Sequence, residues 1–198
     1  MIFDCDNHYY EAIDAFTRHV PKAMQPRCVE WTEIDGRKRH VIAGKLDFSV
    51  GNPLFNPIAR PGVLYDYFKG NPRQKPAAEM MRGDLEPQPA SYRDPSARLA
   101  KMDEQGVETI WLFPTLGVLY EEKLKHDVEA VGALFTAFNR WLEEDWGLAS
   151  DRIFAAPYIS LASVEHACSE LEWALARDAR IVVMRPAAPW TAAGPRPP

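Results

Sequence analysis

From Asp94 onward the chain alternates capped helices with short apolar strands, and this alternation limits its fold more than any other feature. Asp94-Pro95 is a helix start: a carboxylate acceptor at the N-cap, then a proline whose missing N–H costs nothing at the first helical position. Leu99 and Met102 fall on the face to be buried, and Gly106 is the stop. Residues 107–113 read as a strand ended by Pro114, apolar on both faces like a parallel strand covered on both sides. Asp127 caps a second helix with Val128, Val131, Phe135, Phe138 and Leu142 on one stripe, and Gly147 ends it. Residues 152–159 are a third strand. Ser163 caps a further helix with Val164, Cys168, Leu171 and Leu175 on one face, and residues 180–184 are a fourth strand before Arg185-Pro186. Residues 2–6 supply the first. Repeated strand–helix units predict an α/β fold with a parallel sheet and right-handed crossovers.

The stretch from 21 to 93 interrupts this plan. Residues 28–34 and 37–43 flank Asp35-Gly36, a two-residue turn whose positions favour positive φ, so a β-hairpin is expected, with Glu33 facing Lys38. Glycines and prolines then break regular structure at 51–57 and 60–62, and residues 70–92 read as loop. A loop of that length serves as a lid, a binding surface or a subunit contact. The stretch reads as an insertion within one domain spanning residues 1–198. Residues 9–19 read as a helical turn that buries Tyr10, Ile13 and Phe16.

Bulk properties exclude several functions. A net charge of -5 argues against a nucleic-acid partner, and no apolar run reaches the length of a membrane span. No secretion signal is visible, and the three separated cysteines build no disulfide framework, so the cytoplasm is the expected compartment.

The chemistry gathers at strand ends. Asp4, Asp6 and His8 alternate, so an unbroken strand points them to one face. A carboxylate beside an imidazole is half of a divalent-metal site. His8, Thr115, Tyr158 to Ser160 and Arg185 all follow strands, and a barrel of strand–helix units carries its chemistry at the C-terminal strand ends. No Gly-rich phosphate loop follows the first strand, so a dinucleotide fold lacks its fingerprint. Arg185 is a candidate for a substrate carboxylate or for a salt bridge to a loop acid. Thr115 is a second substrate-binding candidate. Trp111 and Phe113 line either a pocket or the core. His19, His40, His126 and His166 read as surface or packing residues.

The segment Asp4-x-Asp6-Asn-His8-Tyr-Tyr-Glu11 resembles the opening of the amidohydrolase-related, TIM-barrel metal-dependent hydrolases and decarboxylases. Residues 96–115, with Arg98-Leu-x-x-Met102-Asp-Glu-x-Gly106, are similar to that family's run into its second strand, and residues 139–145 and 152–157 fit further stretches. The resemblance implies a divalent metal, usually zinc, held first by Asp6 and His8. It makes Asp4 a supporting acid and Glu11 either a neighbour of the ligands or a helix-face acid. It implies a small carbonyl or carboxylate substrate, with hydrolysis or decarboxylation as the reaction. The family's remaining ligands come from later strands. About four strand–helix units are present here, so the expectation is a partial (β/α)8 barrel, truncated at its C-terminal side. The outcome for such a chain is an incomplete enzyme, a pair of copies forming one whole, or a non-catalytic remnant that self-associates.

Overall fold

The computed structural model describes residues 1–70, 75–191 and 193–195. In chain order the elements are β1 (Phe3–His8), β2 (Val29–Ile34), β3 (Arg37–Ile42), β4 (Lys45–Asp47), β5 (Ile58–Ala59), α1 (Val63–Gly70), α2 (Ala77–Gly83) and β6 (Leu85–Glu86). There follow α3 (Pro95–Gln105), β7 (Thr109–Phe113), α4 (Gly117–Leu124), α5 (Val128–Asp145), β8 (Ile153–Ala155), α6 (Val164–Leu175), β9 (Trp190–Thr191) and β10 (Gly194–Pro195).

The central sheet is parallel, in the order β1-β7-β8. A fourth parallel segment continues it, but only as a bridge between Tyr158 and Val183. Ile159 N–H donates to the Val183 carbonyl at 2.9 Å, and Val183 N–H to Pro157 at 3.0 Å. The expected fourth strand over 180–184 is therefore reduced to one bridge, and the third is shortened, because Pro157 has no N–H to give to a ladder. The fold is mixed α/β with a parallel sheet, which does not close into a barrel among the described residues. Among the described residues, no helix is long and apolar enough to cross a membrane.

The predicted caps form. Asp94 accepts from Ala97 N–H at 2.7 Å, Asp127 from Ala130 at 3.1 Å and Ser163 from His166 at 3.3 Å. Gly106 and Gly147 end α3 and α5 at φ of 67° and 72°. Beneath the sheet, α5 buries Leu134, Phe135, Phe138, Trp141 and Leu142 in one cluster with Ile110, Leu112, Ile153 and Ala155. Each such side chain contributes roughly 1.5–3 kcal/mol.

Two helix faces depart from expectation. In α3 the buried residues are Arg98 and Met102, and Leu99 is half-buried. In α6 the inner residues are Ala167, Glu170 and Ala174, while Val164 is 73% and Leu175 59% exposed, and Leu171 and Cys168 face outward with them. Glu170 turns the helix. It accepts two bonds from Arg140, at 2.9 and 3.1 Å, and one each from Asn139 and Thr136, both at 2.9 Å. A satisfied buried carboxylate outweighs the exposure of one leucine stripe.

The insertion contains more structure than a hairpin and loop. The hairpin forms in the expected register, with Glu33 opposite Lys38 and their charged groups 3.4 Å apart. A second turn, Ala43-Gly44 at φ of 49° and 72°, adds β4, which was not expected. Helix α2 occupies sequence read as loop, α1 fills residues 63–70 to which no helix was assigned, and residues 71–74 of the expected loop lie outside the described residues. Of residues 9–19, 13–19 form successive turns, with Phe16 buried, Tyr10 half-buried and Ile13 exposed.

The insertion is tied to α4 through His40, which is buried with Nε2 3.0 Å from the Tyr120 hydroxyl and its ring against Trp31. Burial pushes the His40 pKa down to about 4. An unfolded histidine titrates near 6.5, so the unfolded chain takes up a proton first as pH falls. The His40 contribution to stability is complete above about 6.5 and is lost as pH falls toward 4. A proton NMR titration of the folded protein is expected to place the His40 midpoint near 4.

Candidate functional site

The site candidates sit where β1 breaks step with β7. Phe3 and Asp4 pair with Thr109 and Ile110, but Asn7 and His8 pair with Leu112 and Phe113, so β1 carries one extra residue between Asp4 and Asn7. Such a bulge reverses the alternation of side chains. Residues in register share a face, which puts Asp4 and Asn7 with the buried, helix-covered Ile110 and Leu112. Phe3 and His8 lie on the opposite face with Trp111 and Phe113, which are half-buried. The one-face expectation for Asp4, Asp6 and His8 is thereby corrected: Asp4 is turned away. Its carboxylate accepts from Asp6 N–H at 3.0 Å and from the Asn7 side-chain amide at 2.6 Å, which holds the bulge.

Asp6 and His8 do meet. His8 Nε2 lies 3.6 Å from Asp6 Oδ1, with the side chains 51% and 91% exposed. His8 Nδ1 lies 3.1 Å from the Pro114 carbonyl. A carbonyl only accepts, so Nδ1 donates to it, and Nε2 is the ring nitrogen turned toward the Asp6 carboxylate. Metal-binding histidines are oriented in this way. Two donors make half a site, and among the described residues no group of three His, Cys, Asp or Glu side chains could hold a metal ion.

Arg98 fixes the backbone under this pair. Its guanidinium is buried and donates to the His8 carbonyl at 2.8 Å, to the Ser91 carbonyl at 2.5 Å and to Asn7 Oδ1. Its charge also faces the rings of Tyr92 and Trp146. Sequence reasoning missed it as a site residue, because helical periodicity assigns an arginine to solvent.

Glu11 is buried rather than on an exposed helix face. Its buried Oε1 accepts the N–H groups of Thr115, Leu116 and Gly117 at 3.0, 2.7 and 2.9 Å, at the start of α4. Oε2 is buried without a hydrogen-bond partner among the described residues. Burial raises the pKa to about 7 despite the three N–H bonds, which act to lower it. Thr115 closes the same junction, its hydroxyl donating to the Tyr9 carbonyl at 2.6 Å.

The other candidates are bound up in the scaffold. The Arg185 guanidinium pairs with Glu122 of α4. No hydrogen bond or ion pair among the described residues joins it to Asp6 or His8. Tyr158 and Ser160 donate to the two oxygens of buried Glu121 at 2.5 and 2.6 Å. His19 pairs with Glu144, His126 packs on Trp190 and His166 meets Thr136.

Two cavities flank the strand end. One, of about 860 Å³, runs from Asp6 and His8 along the unpaired edge of β1 to Lys101 and Gln105 of α3. The other, of about 770 Å³, lies between the insertion and the Thr115–Leu119 turn. Tyr10, Pro61 and Tyr92 line both.

No protein-family model and no curated protein matches the chain. Among solved structures it is similar to the crystal structure of an amidohydrolase from Mycobacterium avium subsp. paratuberculosis K-10, at 42% identity and a TM-score of 0.91. The match covers 98% of this chain and 52% of that one, so the chain spans about half the length of that relative. With that likeness along nearly its whole length, and with a carboxylate–imidazole pair at the end of its first parallel strand, the chain is amidohydrolase-like.

Proposed function

We propose that this chain is the N-terminal part of a metal-dependent hydrolase of the amidohydrolase kind, a partial TIM barrel acting on a small carbonyl or carboxylate compound. The observation that carries the reading is the Asp6–His8 pair, with Nε2 turned toward the carboxylate and Nδ1 held by the Pro114 carbonyl. A divalent cation, zinc by the family resemblance, would supply Lewis acidity at a substrate oxygen when bound by these donors. Asp6 contributes negative charge, His8 a neutral nitrogen, and Arg98 holds the backbone that carries both. Decarboxylation by a related enzyme is the alternative reaction. It needs a cation for the substrate carboxylate, and Arg185 serves only if it leaves Glu122.

Zinc titration of purified protein tests the pair. Two ligands give weak binding, and His8→Ala is expected to weaken it at least tenfold. Equal zinc affinity in the wild type and His8→Ala would remove the metal reading.

A second reading, a self-associating half-barrel without activity, is favoured by the bare Val164–Leu175 stripe of α6 and the open edge of β1. Sedimentation velocity is expected to show concentration-dependent association that Leu175→Glu reduces. A monomer at all concentrations would eliminate this reading.

A further inference from the structure

We infer that the 770 Å³ cavity under the insertion is a binding site for the uncharged hydrocarbon part of the substrate, set beside the Asp6–His8 pair across Tyr10. This rests on the proposed function for the meaning of "substrate", but the cavity's chemistry stands on its own walls. The volume is that of a small-molecule pocket. Phe55, Ile58, Val63, Leu64 and Leu85 come from the insertion, and Leu119 from α4. Leu64, Leu85 and Leu119 are each 39% to 50% exposed, so three aliphatic side chains face one concavity without covering it.

Several of the polar groups on these walls are already engaged, and Arg82 lies exposed on the same wall. Arg60 is paired with Asp66 at 2.7 Å and Asp84 at 2.6 Å, and also donates to the Pro61 carbonyl. The Asn52 amide donates to the Pro57 carbonyl at 2.9 Å. The Ser49 hydroxyl is bonded to Asp47, and the Thr115 hydroxyl to Tyr9. A hydrogen-bonding ligand group entering beside these engaged groups exchanges water for partners already in use, whereas a hydrocarbon against Phe55, Ile58, Val63, Leu64, Leu85 and Leu119 gains free energy. Tyr10 stacks on Phe55 at 4.5 Å between ring centroids and lines both cavities, so a ligand lying across Tyr10 has its polar end toward His8 and its apolar body under the insertion.

Two neutral probes of equal skeleton test this, 2-naphthol for an aryl body and decahydro-2-naphthol for an alicyclic one. With methyl-labelled protein, at least one is expected to shift the methyls of Leu64, Leu85 and Leu119 saturably, and to leave Leu171 and Leu175 on α6 unmoved. Which probe binds more tightly identifies the hydrocarbon. Leu64→Arg and Leu119→Arg, both at half-exposed positions, are expected to weaken binding at least tenfold. Probe binding needs no metal, so it is expected equally in zinc-free and zinc-loaded protein, and failure of the metal reading registers separately. If neither probe moves the three methyls of the wild type, or both move all exposed methyls alike, the inference is overturned whether or not the arginine variants fold.

Discussion

Replacing Arg98 by methionine is expected to cost the fold about 3–5 kcal/mol, measured by urea unfolding at neutral pH. Methionine keeps much of the packing volume but donates nothing. The His8 and Ser91 carbonyls and the Asn7 side chain then lose their donor in a buried place. Each unsatisfied acceptor costs about 1–3 kcal/mol, and the sum is reduced by whatever Asn7 recovers on turning. The site should suffer with the fold, because the bulge that aims His8 is held by Asn7 and Asp4 from one side and Arg98 from the other. Loss of the His8–Pro114 bond should appear as a changed His8 ring resonance. Arg98→Lys is expected to recover only part of the loss, since an ammonium cannot span three acceptors placed for a guanidinium. A cost below 1 kcal/mol for Arg98→Met would show that these bonds do not hold the strand end.

Glu11 is expected to make stability fall as pH rises. Its carboxyl has an ordinary value of 4.5 and is raised by burial to about 7 in the folded chain. The folded protein therefore holds this proton more tightly than the unfolded chain. Its contribution is greatest below about 4.5, declines as pH rises toward 7 and is level above that. The gap corresponds to roughly 3 kcal/mol. Arg93, Tyr9, Tyr10 and Tyr120 also face the group, and Arg93 favours its ionised form. His40 works in the opposite direction between about 4 and 6.5, so the wild-type curve alone is flattened. The difference between wild type and Glu11→Gln isolates the effect. Glutamine keeps an oxygen for the three N–H groups but has no proton to release. The variant should gain about 3 kcal/mol relative to wild type between pH 4.5 and 7.5. A pH-independent difference would show that Glu11 stays ionised across this range.

The helix caps show how much of this was legible in advance. Asp94, Asp127 and Ser163 cap where their local sequence says they should, because an N-cap needs only a side-chain acceptor and the next three residues. The hairpin register was equally local, set by Asp35-Gly36. Asp6 and His8 could be paired from spacing alone. The bulge that separates Asp4 from them could not, because it is a mismatch between two strands a hundred residues apart. Arg185 illustrates the same limit. Its place after the fourth parallel segment was readable, but its partner Glu122 lies on α4, a helix whose sequence carries no cap signal.

By itself, then, the sequence determined the parallel strand–helix order, the caps, the hairpin and the acid–imidazole pair, all properties of residues close in the chain. Tertiary structure alone decided which face of α6 is buried, that Arg98 and Glu11 lie inside, and that the insertion lines an apolar cavity sharing Tyr10 with the cavity at His8. Those outcomes depend on desolvation and on hydrogen-bond partners from distant segments, and the free energy of a buried charge exists only once its surroundings have assembled.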